Sequence, residues 1–277
     1  MSRSLLLIDA DPAVRKHLTG VLTRDDRSIQ TVDDGSEALS YLRECACDVI
    51  VAGEGRNGFD HFKLLRRVRT ICPEAKVILA GENDPVAAVR ALRERAFSYL
   101  HKPLAEEPVA ETVQQALDAH SWQNDLRLVS GRPEWIAIDI RAKLSAADRA
   151  TQFAREIQAG VPQNVRDDVT AAFRELLLNG IEHGAKSDPK KRVRASFLRT
   201  RRSIIVHLHD PGKGFSLDVL PHAAISNPDD SPVKHAEFRE EHGQRPGGFG
   251  ILITRNLVDE LLYNGPGNSV LFVKYLK

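Results

Sequence analysis

The stretch that decides the fold of the second half of the chain is residues 167–184, DDVTAAFRELLLNGIEHG. Its apolar residues recur at i, i+3, i+4, i+7 and i+8, the spacing of a helix with one face in a core. Glu175 and Asn179 are four residues apart and therefore neighbours on one flank of that helix. Such a pair suits a site where the carboxylate moves a proton and the amide orients an ion. It also fits the solvated side of an ordinary amphipathic helix.

Two glycine clusters follow this helix. The apolar run at 203–209 predicts a strand, and DPGKGF comes directly after it at 210–215. The second cluster, RPGGFG at 245–250, opens an apolar helix predicted for 249–261. Either cluster alone is compatible with a simple turn. Together they indicate a phosphate site, because such glycines let backbone N–H groups approach an anion that the helix N-terminus attracts.

The three motifs occur in a specific order, which is Glu-x-x-x-Asn, Asp-x-Gly-x-Gly-Phe and Gly-Gly-x-Gly. This set resembles the ATP-binding domain shared by histidine kinases, gyrase-type and Hsp90-type ATPases and the anti-sigma factor serine/threonine kinases. Residues 132–277 are most similar to the last branch, because Ile-Glu-His follows the first motif and a strand follows the second glycine cluster. His120, in the joining region, lacks the sequence context of a phospho-accepting histidine.

The resemblance implies a role for each motif residue. Asn179 would bind a Mg²⁺ that bridges the ATP phosphates, and Asp210 would accept a hydrogen bond from the adenine amino group. Glu175 would be the catalytic general base, which takes the proton of a Ser or Thr hydroxyl on a partner protein. The other predicted ATP-binding residues are Gly212 and Gly214 under the base, Gly247, Gly248 and Gly250 at the phosphates, and Ser269 near the adenine.

The implied function is that of a bacterial signalling regulator that uses ATP and Mg²⁺ to phosphorylate Ser or Thr of an anti-sigma factor antagonist. A sigma factor is a further partner under this hypothesis, and a homodimer is expected. Two other classes stay open. One is a nucleotide-gated protein that sequesters a partner without kinase activity, and the other is an ATP hydrolase in which Glu175 activates water.

The bulk composition agrees with a two-domain cytoplasmic protein. A length of 277 residues leaves room for two ordinary domains. Lys and Arg number 39 and Asp and Glu 38, so a net charge of +1 predicts no direct binding to nucleic acid or to an anionic membrane. No apolar run reaches the roughly 18 residues of a membrane span, and the acidic N-terminus does not fit a signal peptide. The three cysteines lack the spacing of a zinc site.

The first half of the chain alternates between predicted strands and helices, which is typical of a doubly wound parallel sheet. Strands are predicted at 4–9, 27–31, 48–52, 76–80 and 97–100, with helices between them. Over residues 1–122 this rhythm, Asp9 and the segment from Tyr99 to Lys102 and Pro103 resemble a two-component receiver domain.

The receiver-like sequence departs from the family at the positions that carry its chemistry. Gly53 stands at the phospho-acceptor position and Ala80 at the position of the Ser or Thr hydroxyl. Ala10 stands where the second acidic residue is usual. Glu54 is adjacent to the acceptor position, but a one-residue shift at a strand end aims its side chain differently. We therefore expect a domain that takes up no phosphate and acts as an interaction or dimerisation surface.

The predicted organisation is a receiver-like domain at 1–122, a stiff helical joint at 123–133 that continues a helix over 105–127, and an ATP-binding domain at 134–277. The predicted fold class is α/β, with a five-stranded parallel sheet in the first domain. The second domain is predicted to be an α+β sandwich of the histidine-kinase-type ATPase fold.

In the second domain an edge strand is predicted at 135–141, a helix from Ser145 to about residue 159, and a terminal strand at 269–275. Strands at 192–199 and 203–209 are predicted to join through a tight turn. The polar segment between the glycine clusters, which contains His222, His235 and His242, occupies the place of a mobile nucleotide lid in related domains.

Overall fold

A computed structural model describes residues 3–54, 60–132, 134–214 and 250–276 of the chain. The chain divides into two compact units, with residues 1–123 and 152–160 in unit 1 and residues 124–151 and 161–277 in unit 2. Over the described residues, unit 1 has a five-stranded sheet and unit 2 a six-stranded sheet.

The elements of the first half alternate as predicted. They are β1 (Arg3–Ile8), α1 (Pro12–Leu22), β2 (Arg27–Val32), α2 (Gly35–Glu44), β3 (Val49–Gly53), α3 (His61–Ile71), β4 (Lys76–Gly81), α4 (Pro85–Arg93), β5 (Ser98–His101) and α5 (Glu106–Asp118). All strands pair in parallel in the order β2-β1-β3-β4-β5, and the predicted α/β class is confirmed.

Local sequence explains why these elements form. The strands are nearly continuous buried apolar runs, as in parallel sheets with helices on both faces. Four helices begin after an aspartate whose carboxylate accepts N–H groups of the first turn; these residues are Asp11, Asp34, Asp60 and Asp84. The chain therefore turns into a helix soon after strands β1, β2 and β4, which leaves the strand ends on one edge of the sheet.

The helix predicted for 105–127 is wrong beyond Asp118, where α5 ends. Ser121 has a φ of 51°, a left-handed conformation through which an α-helix does not continue. Trp122 turns into the core instead and contacts Phe97, with ring centroids 5.5 Å apart. The predicted helical joint at 123–133 is therefore corrected to a turn and a strand, while the domain limits at 122 and 134 stay predictions.

The second half contains β6 (Leu126–Arg132), β7 (Trp135–Arg141), α6 (Leu144–Glu156), α7 (Gln163–Asn179), β8 (Arg192–Arg199), β9 (Ser203–His209), α8 (Gly250–Leu257), β10 (Glu260–Tyr263) and β11 (Ser269–Tyr275). The sheet is antiparallel throughout, in the order β10-β11-β9-β8-β7-β6. One of its faces packs on helices, and Phe173 of α7 contacts Phe197 of β8. The predicted α+β class is confirmed.

Two smaller predictions about this half are wrong. Strand β7 is not an edge strand, because β6 pairs with its outer side through a hairpin. The helix predicted for 249–261 ends at Leu257, and residues 260–263 form β10 because they pair with β11. A short apolar run is compatible with a helix or with a strand, and here the pairing with β11 makes it a strand.

Candidate functional site

Helix α7 presents a polar flank beside its buried stripe. Its predicted core positions are buried, including Phe173 and Leu177, whereas Glu175 and Asn179 are partly exposed. After Asn179 the helix widens into one π-helical turn, Gly180–Gly184. Such turns break the regular i→i−4 pattern and occur often at functional sites. The end of α7 thus carries a carboxylate and a carboxamide next to a glycine-bounded turn.

Gly250, the first residue of α8, lies directly against this flank. A Cβ atom at Gly250 would lie 2.9 Å from Glu175 Oε2 and 3.6 and 3.8 Å from the side-chain nitrogen and oxygen of Asn179. A side chain at this position would crowd the Glu175 carboxylate and would be in van der Waals contact with Asn179. The structure therefore brings together the first predicted motif and the last glycine of the third.

Asp210 lies in a second group, which surrounds the start of the DPGKG segment. A Cβ at Gly184 would collide with the Asp210 carboxylate, and a Cβ at Gly180 would lie 3.4 Å from Asp210 Cβ. The N–H of Gly212 donates to Asp210 Oδ1 over 2.8 Å. A Cβ at Gly212 would in turn lie 2.8 Å from the backbone of Gly184. The carboxylate is thus held between two backbone segments that only glycine allows to approach so closely.

Burial raises the pKa of Asp210 above the ordinary range, and the hydrogen bond from Gly212 opposes this only in part. Desolvation therefore disfavours the ionised carboxylate in this half-buried position. A ligand that offers an N–H group would stabilise it.

The DPGKG segment at 210–214 is hydrogen-bonded to the loop between β10 and β11. Asp210 N donates to Asn268 O over 3.0 Å, and Asn268 Nδ2 donates to Gly212 O over 3.1 Å. Gly214 has a φ of 82°, and a Cβ there would overlap the carbonyl of Pro266. Gly214 is required by the close approach of these two loops, which is a structural reason separate from its predicted place under a base.

Ser269 has another partner in the structure. Its Oγ is 2.6 Å from His207 Nε2, and it is opposite His209 in the register of β11 and β9. Asp210 follows His209, so alternation directs the side chains of Asp210 and Ser269 to opposite faces of the sheet. The structure does not group Ser269 with Asp210, and its predicted role near adenine stays a prediction.

Two of the predicted phosphate-binding residues, Gly247 and Gly248, and the predicted lid lie outside the described residues. Two residues that the motifs did not single out belong to the site. Gly184 faces Asp210 at the end of the quoted stretch, and Asn268 fixes the glycine segment. The glycine that closes the π-helical turn was visible in the sequence, but only its packing distinguishes it from an ordinary helix end.

The receiver-like unit has an ion pair where its phosphorylation site would be. Lys102 Nζ is 2.6 Å from Asp9 Oδ2, and Asp9 is buried. A Cβ at Gly53 would collide with the Asp9 carboxylate and lie 3.2 Å from Lys102 Nζ. The pair thus fills the space that an acceptor side chain on β3 would need.

Glu54 and Tyr99 lie near the same edge of this sheet. Burial and the nearby Glu82 raise the pKa of Glu54, whose carboxylate lies 3.9 Å from His61 Nδ1. Tyr99 is buried and its hydroxyl donates to Glu82 O over 2.7 Å. A Cβ at Gly81 would lie 2.6 Å from that hydroxyl, so this glycine makes room for the ring.

Fold and site together define two classes of domain, a receiver-type α/β unit and an α+β unit of ATPase type. Residues 140–274 match the family model of the histidine kinase-like ATPase domain, and residues 5–114 match that of the response regulator receiver domain. The chain therefore joins a receiver domain to a histidine kinase-like ATPase domain. This combination suggests a two-component-type signalling regulator with an ATP-binding, kinase-like domain.

Similar curated proteins are bacterial regulators. The transcriptional regulatory protein AfsQ1 of Streptomyces coelicolor is 36% identical over 101 residues, which is 36% of this chain and 45% of that protein. The transcriptional regulatory protein GlrR of Escherichia coli is 26% identical over 147 residues, which is 51% of this chain and 33% of that protein. The chain thus spans less than half the length of either relative.

Solved structures similar to the chain include the BeF3-activated DrrB receiver domain, with 22% identity, a TM-score of 0.40 and coverage of 43% of this chain and 100% of that one. A response regulator from Thermotoga maritima has 19% identity, a TM-score of 0.40 and the same coverages. Among the helices of the described residues, none is both long and apolar enough to span a bilayer.

Proposed function

We propose that the second domain binds Mg-ATP and transfers the γ-phosphoryl group to a Ser or Thr of a partner protein. The observation that carries this proposal is the convergence of Glu175 and Asn179 on Gly250. A base, an ion ligand and a helix N-terminus then lie at one place, which is what phosphoryl transfer requires.

The residues fit a nucleotide at two points. Asp210 is a partly buried acceptor whose ionised form is disfavoured by desolvation, and the N–H of an adenine amino group would stabilise that form. Asn179 offers an amide oxygen beside Gly250. The described residues contain no cluster of three His, Cys, Asp or Glu that could hold a metal. A Mg²⁺ at Asn179 would therefore take its other ligands from phosphate and water, as this ion commonly does.

Glu175 is the residue that acts on the protein substrate in this proposal. Its carboxylate would accept the proton of the attacking hydroxyl while the new O–P bond forms and the bond to the β-phosphate breaks, which releases ADP. Bound ATP and Mg²⁺ supply the phosphoryl group and the charge that stabilises the transition state. Because Gly250 has no side chain, the start of α8 can lie close to this carboxylate.

The partner that we propose is a protein of the anti-sigma factor antagonist type, with a sigma factor as a second partner. Support comes from the Ile-Glu-His that follows Asn179 and from the order of the three motifs. The receiver domain is proposed to contribute contacts only, since the Asp9–Lys102 pair fills its acceptor site. We place this activity in the cytoplasm.

The test compares Glu175→Gln with Glu106→Gln, an exposed glutamate on α5. Incubation with labelled ATP and a candidate antagonist protein should phosphorylate the antagonist with the wild type and Glu106→Gln. Glu175→Gln should reduce the rate by about 10²–10⁴-fold, the range for loss of a general base, with unchanged ATP affinity. Release of free phosphate without phosphoprotein would favour a hydrolase, and binding without either product would favour a sequestering protein.

A further inference from the structure

Helices α3 and α4 of unit 1 present a strongly basic surface. The sequence of α3, HFKLLRRVRTI, buries most of its apolar residues, exposes its cations and contains no acidic residue. Helix α4 and the two residues after it add three arginines and one glutamate. We call the seven cations the basic face; they are Lys63, Arg66, Arg67, Arg69, Arg90, Arg93 and Arg95. Six of them are exposed, and Arg90 is partly exposed.

The basic face concentrates charge that the rest of the chain does not share. Seven of the 39 cations lie here with one of the 38 acids, so the remainder of the chain is net negative although the whole carries +1. Lys63, Arg66 and Arg67 are three or four residues apart, a spacing at which like charges destabilise a helix. An anionic partner would remove this repulsion.

One acid, Glu94, orders part of the basic face without neutralising it. Both oxygens of its carboxylate are bound, with Arg66 Nη1 2.7 Å from Oε2 and Arg90 Nε 2.9 Å from Oε1. Arg69 Nη1 donates to the backbone oxygen of Glu94 over 3.1 Å. Arg90 Nη2 is in addition 3.7 Å from Asp60 Oδ2. Three arginines are thus held in place by two acids, which reduces the side-chain entropy that they lose on binding a further carboxylate.

Lys63 and Arg67, on the exposed side of α3, have no such acid. Their side chains form no hydrogen bond or ion pair with any residue that the structure describes. They are four residues apart and therefore neighbours on one face of the helix. A partner's carboxylates can reach both side chains without displacing a contact within the described residues.

We propose that the basic face binds an acidic segment of a partner protein. This inference rests on the contact role proposed above for the receiver domain, and it names the surface that makes the contacts. Asp or Glu side chains of the segment would pair with Lys63 and Arg67, and further carboxylates with the arginines that Glu94 holds. Arginine clusters recognise acidic motifs in this way, because guanidinium groups bind carboxylates through charge-assisted hydrogen bonds.

An acidic protein segment fits this surface better than a single-stranded nucleic acid. Such nucleic acids are bound by aromatic rings that stack on the bases as well as by basic residues. The one phenyl ring of the two helices, Phe62, is buried, and the Arg90 guanidinium lies 3.8 Å from its centre. The same helices expose the aliphatic residues Ile71 and Val86, which a segment of mixed acidic and apolar residues would cover.

A membrane surface fits less well than a protein segment for a different reason. A helix that binds a bilayer surface inserts its apolar face between the lipid headgroups. The apolar face of α3 is already used, because Phe62, Leu64, Leu65 and Val68 are buried in unit 1. The cations of α3 are therefore exposed without an apolar face that could enter a bilayer.

The test measures binding of the full chain to a labelled peptide of glutamate and leucine by fluorescence anisotropy, without ATP. Phosphotransfer can fail while this peptide still binds, so the result is separate from that of the proposed kinase activity. The wild type should bind the peptide, and a peptide with glutamine in place of glutamate should not bind. The double variant Lys63→Glu with Arg67→Glu should weaken binding at least about tenfold, because two attractive pairs become repulsive.

The matched control combines Lys16→Glu with Arg24→Glu, which also reverses one lysine and one arginine at exposed positions. Lys16 lies on α1, which packs against α5. This control has the same net charge as the test variant and should bind the peptide like the wild type. The single changes Lys63→Glu and Arg67→Glu should each weaken binding by a smaller factor, which keeps the test valid if the double variant does not fold.

Three results would overturn the proposal. One is a wild type that does not bind the glutamate peptide. Another is an equal loss of binding in the test variant and the matched control, which would show that overall charge alone decides binding. The third is tighter binding of single-stranded RNA or of phosphatidylserine vesicles than of the glutamate peptide, which would assign the basic face to a nucleic acid or to a membrane.

Discussion

Gly184 is the residue whose role depends most directly on packing. A Cβ there would occupy the position of the Asp210 carboxylate, whereas a Cβ at Gly265 meets nothing within 4 Å. We therefore expect Gly184→Ala to displace Asp210 and to weaken ATP binding at least about tenfold, or about 1.4 kcal/mol. Gly265→Ala should bind like the wild type. Titration calorimetry of both variants measures the difference, and equal affinities would show that Asp210 does not contact the nucleotide.

The raised pKa of Asp210 predicts that nucleotide affinity depends on pH. Burial raises its pKa, so protonation starts at a higher pH than for an exposed aspartate, and without ligand its protonated form favours folding. That contribution to stability is present at low pH and lost as the pH rises through the raised pKa. Binding of an adenine amino group needs the ionised form, so affinity should fall as the pH is lowered from neutral, and this fall should begin at a higher pH than an ordinary aspartate would give.

The variant Asp210→Asn isolates this effect, because it keeps the shape of the side chain and removes the titrating group. Its affinity should be weaker near neutral pH and should change less on acidification than that of the wild type. Binding measured across this pH range with ADP tests the expectation. Parallel curves for the two proteins would assign the pH dependence to the nucleotide phosphates.

At the scale of elements, strand β3 and its neighbours predict a receiver that accepts no phosphate. Phosphoryl transfer into this fold needs an acceptor carboxylate, but Gly53 has none and the Asp9–Lys102 pair fills the space above it. The full chain treated with a small phosphodonor and Mg²⁺ should show no mass gain of one phosphate in the receiver domain. A receiver that has its acceptor aspartate is the positive control. An acid-labile phosphate on Glu54 or Asp60 would contradict this prediction.

Helices and strands with a regular pattern of apolar residues were predictable from the sequence. Elements whose structure depends on contacts with distant parts of the chain were not. The stripe of α7 and the apolar strands β1, β3 and β4 follow from local pattern alone. Strand β6 was not predictable from local pattern. It forms because it pairs with β7 and because the left-handed conformation of Ser121 prevents the helical structure of α5 from continuing. For the same reason Glu175 and Asn179 were predictable from helical spacing, whereas Asn268 required the loop contact that only the fold provides.

For the whole molecule, the separate sheets of the two units predict two unfolding transitions in calorimetry. A ligand stabilises only the native unit that binds it, so Mg-ADP at a hundredfold excess over its dissociation constant adds about 2.7 kcal/mol to that unit. In a domain of this size such a gain raises the midpoint of one transition by roughly 5–10 °C and leaves the other in place. At the same nucleotide concentration Gly184→Ala should reduce this shift, to about half for a tenfold loss of affinity, and Gly265→Ala should keep it in full. A single transition that moves as a whole would contradict this prediction, because the two units would then unfold as one and nucleotide binding would stabilise the receiver domain as well.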